Sequence, residues 1–410
     1  ALGHRCMIAN TTGGYNTAIG HIALDANTTG ANNTAIGVSA MTDNTTGHTN
    51  TAVGKLACSD NTDGLYNTAV GVQALQVNTT GDRNTAVGCF ALANDTGSYN
   101  TGLGMYALYS NTSAQFNTAT GYGAATNNTT GENNTAYGYT ALGNNTTANE
   151  NVAIGSRTMD ACTAGAENTA VGTDALGALT TGHRNTAIGR QAGFTMTTGE
   201  NNTFLGYETG EVLTTGDNNT LGGYRAGLLI TSGDSNTIYG SFAGDAITTA
   251  NSNTCIGPAA GRSISTGGSN TCLGNDSGRS NSPFQITTES NRVVIGHNDI
   301  TNAYIKVAWT VTSDERDKTD IQDITTGLDF VNQLKPKSFW FRKNRDTEEK
   351  IGTQNYGFLA QDILALEGDN PVIIDNEQEN ILKYKGEHLV PILVNAIKEL
   401  SKKVTALEAG

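Results

Sequence analysis

Apolar and polar positions return with a fixed period along the first two-thirds of the chain. The motif is Asn-Thr-x-φ-Gly, where φ is usually apolar, and every step between copies is seventeen residues except the sixteen from Asn84 to Asn100. The first residues of the motif, called anchor asparagines here, are Asn16, Asn33, Asn50, Asn67, Asn84, Asn100, Asn117, Asn134, Asn151, Asn168, Asn185, Asn202, Asn219, Asn236, Asn253 and Asn270. Seventeen residues are too few for a helical hairpin and suit two short strands joined by two tight turns. The period therefore predicts a mainly β protein whose shaft is a β-solenoid, or β-roll, with one coil per repeat.

The residue three positions after each anchor is predicted to build the interior. These residues are Ile19, Ile36, Val53, Val70, Val87, Leu103, Ile154, Val171, Ile188, Leu205, Ile256 and Leu273, and the series is broken by Thr120, Tyr137, Gly222 and Tyr239. Stacked coil on coil, they would form one apolar ladder. The next residue is Gly in every copy, which indicates a turn with positive φ or a close backbone approach. Segments such as Asn27 to Gly30 are typical of the opposite turn.

Two further positions exchange their apolar residues along the shaft. Eight residues after the anchor, early coils carry Leu24, Met41, Leu75, Leu92, Leu108 and Leu142, whereas later coils carry Gly193, Gly210, Gly227, Gly244, Gly261 and Gly278. Eleven residues after it, Asn27, Asn44, Asn61 and Asn78 give way to Met196, Leu213, Ile230, Ile247 and Ile264. Because interiors are close-packed, we expect the cross-section to change shape at constant volume near residues 160–195.

The period ends after Gly278, and the sequence divides into three parts. Residues 1–278 are the predicted shaft, and 279–312 are a β connector that begins at the break Asn281-Ser-Pro-Phe and includes an alternating strand pattern at 303–311. Residues 313–410 have the composition of a small α/β domain. Its last segment, about 388–408, carries apolar residues spaced as a coiled-coil seam: Val390, Leu393, Ile397, Leu400, Val404 and Leu407. Two and a half heptads would set the register of a trimer rather than hold it alone.

Composition excludes several classes of function. The net charge is −14 and no basic stripe occurs, which disfavours nucleic-acid binding. No apolar run of 18 residues is present, so no membrane insertion is expected. The chain opens on Ala-Leu-Gly, the end of a repeat, and we expect it to continue a longer polypeptide with upstream components. Many Asn-x-Thr triplets match the glycosylation sequon, but ladders of turn asparagines are the favoured interpretation.

Cysteine and histidine spacing predicts neither a metal site nor a cofactor. The cysteines Cys6, Cys58, Cys89, Cys162, Cys255 and Cys272 show no paired zinc spacing. Cys255 and Cys272 share one repeat phase; a disulfide between them is one interpretation, and two free interior thiols are the favoured one. The histidines are interpreted as scattered at unrelated phases.

The repeats resemble two kinds of trimeric protein. They are similar to the β-roll of trimeric bacterial adhesin heads and, more closely, to the Asn-Thr-Ala-Ile-Gly arrays of bacteriophage tail fibres. The resemblance covers roughly residues 1–278. It implies a homotrimer, displayed on a virion or otherwise outside a cell, that binds a host-surface glycan or protein.

Residues from Ser313 onward resemble the peptidase S74 family, the intramolecular chaperones of phage fibres and tailspikes. The resemblance rests on Ser313-Asp-Glu-Arg-Asp-Lys-Thr-Asp-Ile, Gly327-Leu-Asp-Phe-Val-Asn-Gln-Leu-Lys-Pro, Tyr356-Gly-Phe-Leu-Ala-Gln-Asp and Leu389-Val-Pro-Ile-Leu. It implies that Ser313 is a nucleophile, that Lys318 is its general base, and that the Thr312–Ser313 bond is cut after the trimer has folded. No activity on external substrates is implied.

The chemistry of this pair depends on the state of the lysine. A serine hydroxyl attacks only after a base removes its proton, and a lysine serves only when it is uncharged. Asp317 stands where the family usually has an apolar residue, and Asp314, Glu315 and Asp320 are near. Acids beside Lys318 would favour its charged form and weaken the base. The alternative role for Ser313 is to cap a helix or turn.

Three functions fit these patterns. The favoured one is a structural and receptor-binding phage fibre, made in the host cytoplasm, with a self-processing chaperone. The second is a bacterial surface adhesin or extracellular filament built on the same roll. The third is a polysaccharide-degrading spike, for which carboxylate pairs such as Glu208 with Glu211 offer no site that stands out from the repeat.

Overall fold

The computed structural model describes residues 1–280, 282–300, 303–304, 306, 312–342, 347–377 and 382–410. It divides into two compact units, Ala1–His297 and Asn298–Gly410. The strand predicted at 303–311 lies mostly outside the described residues.

The first unit is a parallel β-solenoid. Each coil contributes one three-residue strand that pairs in register with the strand of the next coil, usually seventeen residues later, for example Ala18 with Ala35. The strands are β1 Thr17–Ile19, β2 Thr34–Ile36, β3 Thr51–Val53, β4 Thr68–Val70, β5 Thr85–Val87, β6 Thr101–Leu103, β7 Thr118–Thr120, β8 Thr135–Tyr137, β9 Val152–Ile154, β10 Thr169–Val171, β11 Thr186–Ile188, β12 Thr203–Leu205, β13 Thr220–Gly222, β14 Thr237–Tyr239, β15 Thr254–Ile256, β16 Thr271–Leu273 and β17 Val293–Ile295. The predicted fold class is confirmed.

The solenoid sheet runs past the expected end of the shaft at residue 278. Strand β17 pairs with β16, with Thr271 opposite Val293, so this last coil has 22 residues, five more than the repeat. Arg292 takes the place of an anchor, and its backbone N–H donates to Asn270 Oδ1 at 2.9 Å. The period is lost in the sequence because the extra residues shift the motif, whereas the backbone ladder continues.

The second arm of the coil is a run of turns rather than the expected second strand. Residues six and eight positions after the anchor, such as Ile22 and Leu24, have φ of 51° and 53°, in the left-handed region. Alternating φ still allows hydrogen bonds between coils: Ile22 N donates to His4 O at 2.9 Å, and Leu24 N to Ala40 O at 2.9 Å. The backbone of this arm is therefore hydrogen-bonded from coil to coil as in a sheet, although its φ angles are not those of a β-strand.

The expected interior ladder is wrong: the residue three positions after the anchor points outward. Ile19, Val70 and Ile188 are exposed, and the fully buried strand residue is the one before, such as Ala18 or Ala187. Successive strand residues face opposite sides, so only one of the two can point inward. The interior is narrow and already holds the side chain eight positions after the anchor, which leaves room for an alanine.

The glycine that follows the strand is confirmed as a turn glycine. Its φ ranges from +104° at Gly274 to +145° at Gly37 in these sixteen positions. A Cβ at Gly54 would lie 2.6 Å from the carbonyl carbon of Gly71 in the next coil. Both the backbone conformation and the close stacking of coils therefore require glycine here.

Two buried asparagine ladders explain the polar part of the motif. Each anchor side chain accepts from the next anchor's backbone, as in Asn50 N to Asn33 Oδ1 at 2.9 Å. Its own amide donates to a turn carbonyl, as in Asn33 Nδ2 to Gly47 O at 2.8 Å. In the opposite turn, Asn44 Nδ2 donates to Asn27 Oδ1 at 2.8 Å. The amides of both ladders are hydrogen-bonded, and nearly all of them are buried. The ladder interpretation holds for sequon asparagines such as Asn27 and Asn44, whereas Asn32 and Asn201 also match the sequon and are exposed.

The exchange of apolar groups along the shaft is confirmed, and it has a third component. Leu213, Ile230 and Ile247 are fully buried, as are the earlier Leu24 and Leu75. The strand position that is alanine in most early coils becomes larger in later ones: Phe204, Leu221, Ile238, Cys255 and Cys272. In the early coils one large side chain, eight positions after the anchor, fills the interior. In the later coils two large side chains, two and eleven positions after the anchor, take its place.

Glycine at the eighth position is required by these larger neighbours. A Cβ at Gly193 would lie 2.9 Å from both Leu176 Cδ2 and Phe204 Cδ2, and one at Gly210 would lie 2.7 Å from Phe204 Cε1. Cys255 and Cys272 face each other on neighbouring strands as free, fully buried thiols, in agreement with the favoured interpretation.

The second unit is a small α/β arrangement. Its elements are α1 Leu328–Val331, β18 Lys337–Arg342, β19 Lys350–Gly357, α2 Ala360–Glu367, β20 Ile374–Asp375, β21 Lys383–Tyr384 and α3 Leu389–Glu408, with 3-10 turns at Glu315–Asp317 and Gly386–His388. Strands β18 and β19 form one antiparallel pair, and β20 and β21 a second. Its core is formed by Ile363, Ile373, Ile374, Leu389 and Ile392.

Helix α3 buries only one of its apolar faces. Leu389, Ile392 and Ala396 are buried within the unit. The predicted coiled-coil seam lies on another face, and all six of its residues are exposed, from Leu393 at 37% to Leu407 at 82%.

Candidate functional site

A short turn brings Ser313 and Lys318 together. The 3-10 turn Glu315–Asp317 begins at Asp314, whose carboxylate accepts from Arg316 N at 2.9 Å. It ends at Lys318, whose backbone N–H donates to Glu315 O at 3.1 Å. Asp314 and Lys318 are extended at the two ends of this turn, and the arrangement brings the long Lys318 side chain back to Ser313.

The two side chains are in direct hydrogen-bond contact. Lys318 Nζ lies 2.7 Å from Ser313 Oγ and donates to Ser313 O at 3.2 Å. A base must lie within about 2.6–3.2 Å of the proton-bearing atom it serves. The sequence-based pairing of these residues therefore has the required geometry within a single chain. Thr312, Ser313 and Lys318 are all exposed in the chain by itself.

One acidic neighbour, Asp314, has a partner other than the lysine. Asp314 forms an ion pair with Arg316, with Nη2 and Oδ2 2.6 Å apart. The pKa of Asp314 is lowered, mainly by the hydrogen bond that it accepts from the Arg316 side chain. Within the described part of the chain, no carboxylate forms an ion pair with Lys318. The expected competition from acids is thus reduced at Asp314, which the guanidinium neutralises.

Ser313 does not cap the turn, contrary to the alternative role considered for it. Asp314 is the N-cap, with φ of −69° and ψ of 136°. The hydroxyl of Ser313 is consequently engaged by Lys318 rather than by the backbone N–H groups of the turn.

Two residues of helix α3 hold the segment that follows the site, and the sequence did not single them out. Glu399 Oε2 accepts from Leu328 N at 2.8 Å, at the start of α1. Asn395 Nδ2 donates to Thr326 O at 3.0 Å and to Ile324 O at 3.2 Å. The available signal was a polar pair four residues apart on one helix face, away from the apolar seam.

The histidine interpretation is wrong for two pairs, because His48 and His183 each lie fifteen residues after an anchor and His4 and His21 also share a phase. His4 and His21 are seventeen residues apart and stack with their ring centroids 5.3 Å apart at an interplanar angle of 7°. Across the described residues, no group of three or more His, Cys, Asp or Glu side chains is placed to hold a metal ion.

Residues 313–370 match the family model of Peptidase_S74, described as the chaperone of endosialidase. The chain carries an S74 domain after a β-solenoid shaft. The match begins at Ser313 itself and includes the motifs at Gly327 and Tyr356, whereas the motif at Leu389 lies beyond residue 370. No curated protein and no solved structure matches the chain. None of the helices in the described ranges has the length and apolar character needed to cross a membrane.

Proposed function

We propose that this chain is a homotrimeric fibre protein whose S74 domain guides trimer folding and then separates itself by cutting the Thr312–Ser313 bond. The fibre is a bacteriophage tail fibre that attaches to a host-surface glycan or protein. The observation that carries the proposal is the contact of Lys318 Nζ with Ser313 Oγ at 2.7 Å, at the first residue of the S74 match.

The proposed cleavage proceeds in two balanced steps. Uncharged Lys318 accepts the proton of Ser313 Oγ, and the oxygen attacks the carbonyl carbon of Thr312. The C–N bond breaks, the proton passes from Lys318 to the departing nitrogen, and Thr312 is left as an ester on Ser313 Oγ. Water then hydrolyses this ester, which releases the carboxylate of Thr312 and a fragment that begins at Ser313.

Exposure of the pair in the single chain supports a link between cleavage and assembly. An exposed lysine is charged at neutral pH, and only removal from water or nearby positive charge makes it a base. Burial of the 313–318 turn against neighbouring subunits would supply that change. The trimer therefore acts as the condition for its own processing.

A denaturing gel of the folded full-length protein tests the cleavage. We expect a fragment of residues 313–410, and we expect Ser313→Ala and Lys318→Ala to abolish it. Asp317→Leu should accelerate cleavage, because it removes a negative charge beside the lysine. Asp323→Leu, at an exposed position outside the turn, is the matched control for a general effect of charge.

The outcome that would contradict the proposal is full-length chain alone in the wild type together with no cleavage in Asp317→Leu. Native mass measurement gives the oligomeric state in the same samples. A monomer or dimer would contradict the trimeric fibre independently of the cleavage result.

A further inference from the structure

An apolar band runs along the outer face of the solenoid sheet. It consists of the residues three positions after each anchor together with the apolar residues five positions after it, on the other side of the turn glycine, and is called the outer band here. The fifth position is mixed and includes the exposed Lys55 and Arg190, so the third position is the continuous row. Ten of the sixteen side chains at the third position are exposed by 37–58%: Ile19, Val70, Val87, Leu103, Tyr137, Ile154, Ile188, Leu205, Tyr239 and Ile256. No charged residue occupies any of these sixteen positions.

The band is maintained where its main row is interrupted. Thr120 and Gly222 break the row, and in those same coils the fifth position carries Tyr122 and Tyr224, which are 49% and 43% exposed. The ring of Tyr239 covers Gly222, where an added Cβ would collide with it. Loss of an apolar group at one position is thus matched by an aromatic group beside it.

The outer band does not contribute to the interior of the solenoid. The interior is filled by other positions, such as the alanines at Ala18 and Ala187 and the leucines at Leu24 and Leu213. All-parallel sheets are normally covered on both faces, and exposed apolar surfaces that extend over many residues mark interaction sites. The inner face of this sheet is covered by the rest of each coil, whereas none of the residues that the structure describes in this unit covers its outer face.

The spacing of the band identifies its partner. Its groups recur once per coil through sixteen coils, in register and about 4.8 Å apart. A partner that contacts the whole length must present groups with the same rise, and a second copy of this chain, parallel and in register, does so. Helix α3 independently exposes a seam of heptad spacing on the same chain, which also favours parallel self-association.

We propose that the outer band is the subunit interface along the shaft, so that the three copies pack these faces around a common axis. The inference rests on the proposed homotrimer and adds the surface that joins its subunits. It places Ile154, Ile188 and their equivalents in the interior of the trimer rather than in the interior of the roll. Other surfaces of the shaft are then the ones that meet the host.

Site-specific photo-crosslinking tests the interface. Benzoylphenylalanine is placed at Ile188 or, as the matched control in the same coil, at the exposed Thr198. The chain also carries Ser313→Ala, which keeps it whole. After illumination, residue 188 should give crosslinked dimer and trimer bands at least tenfold stronger than residue 198.

A charge-insertion pair provides the second measurement. Ile154→Asp/Ile188→Asp should lower the thermal midpoint of the shaft, whereas Ala164→Asp/Thr198→Asp, in the same two coils, should leave it near that of the wild type. A native trimer that gives equal crosslinking at both positions, or none at 188, would overturn the interface and leave the proposed fibre intact. Equal effects of the two charge pairs would also overturn it. A monomeric wild type would overturn both.

Discussion

Asp95 is a carboxylate buried inside a ladder of amides. It occupies the position eleven after the anchor, where neighbouring coils carry Asn78 and Asn111, in the one coil shortened to sixteen residues. Asn111 Nδ2 donates to Asp95 Oδ1 at 2.6 Å. Unlike an asparagine, an ionised Asp95 has no donor for the preceding Asn78 Oδ1. Burial is the main cause that raises the pKa of Asp95 to about 7, against the lowering effect of its hydrogen bonds.

The first prediction is that Asp95→Asn stabilises the shaft most at pH 8. The unfolded carboxyl ionises near pH 4, so the folded chain binds the extra proton between pH 4 and 7. Stability of the wild type therefore falls as pH rises through this range and is constant above it. A shift of this size corresponds to a few kcal/mol, at roughly 1.4 kcal/mol per pKa unit. The thermal midpoint by circular dichroism, measured from pH 4 to 8, checks this.

Asn94→Asp, one residue before in the same coil, is the control for added or removed charge. If Asp95→Asn and the wild type keep the same difference in midpoint at pH 4 and pH 8, the buried carboxylate does not titrate as argued.

At the scale of single residues, most positions of the repeat could be predicted from the sequence, but the side on which one of them points could not. The turn glycines, the asparagine ladders and the exchange between Leu24-type and Leu213-type positions follow from period and size alone. The residues three positions after each anchor, beginning with Ile19, are predicted to be interior because large apolar residues usually lie in the core. Both faces of this strand are apolar, and the alternation that separates inside from outside is therefore missing.

At the scale of the coil, packing is shared among three positions. Phe204 fills the space that Gly210 leaves empty, and early coils solve the same problem with an alanine and a leucine. Leu24 shows that a leucine tolerates the φ of the eighth position, since its own φ is 53°. Gly210, with φ of 58°, is thus glycine because of its neighbours more than because of its backbone.

The second prediction is a coupling between Phe204→Ala and Gly210→Leu. Phe204→Ala should cost about 3–5 kcal/mol by leaving a cavity, and Gly210→Leu about 1–3 kcal/mol by overpacking. The double variant should recover part of this loss because the leucine fills the cavity. The free energies of unfolding of the four proteins, from the midpoint and slope of urea unfolding, give the coupling energy. Additive losses would show that the two sites do not share one volume.

At the scale of helices, α3 supports the segment next to the site. Glu399 accepts the free backbone N–H of Leu328, as an N-terminal partner of α1. The third prediction is that Glu399→Ala leaves this N–H without its acceptor and lowers the free energy of unfolding by about 1–2 kcal/mol. Glu399→Gln keeps an acceptor oxygen and should lower it less. Hydrogen exchange at the Leu328 amide reports this directly. Glu408→Ala, at the exposed end of the helix, is the control, and equal protection in all variants would contradict the role.

The site itself was predictable only as a resemblance. The spacing of five residues between Ser313 and Lys318 does not reveal whether they touch, because that depends on the 3-10 turn between them. This 3-10 turn depends on Asp314 as its N-cap and on Arg316, which forms an ion pair with the Asp314 carboxylate. Supporting residues 71 positions away, such as Glu399 for Leu328, show in the sequence only as a polar pair on one helix face, which does not reveal the segment they contact.

At the scale of the whole molecule, the shaft and the S74 domain each carry an unpartnered apolar surface. The outer band has the period of a coil and the seam on α3 has the period of a heptad. A single chain satisfies neither of them, and a parallel trimer satisfies both. If the base at Lys318 becomes active only when subunits surround it, disrupting the seam should stop a reaction whose catalytic residues are untouched.

The last prediction separates assembly from chemistry with Ile397→Asp. Ile397 is 66% exposed in the single chain, so a charge there leaves the fold of the monomer intact and opposes only the packing of helices against one another. Because the seam sets the register of the trimer while the outer band holds the shaft, we expect the variant to form the trimer at least tenfold more slowly in a time course of native mass measurements. We expect an equally slower release of residues 313–410. Ser401→Asp adds the same charge to an exposed polar position of the same helix and should keep both properties. Cleavage at the wild-type rate in a monomeric Ile397→Asp protein would show that Ser313 and Lys318 need no neighbouring subunit, and that folding of the trimer and the cut are independent events.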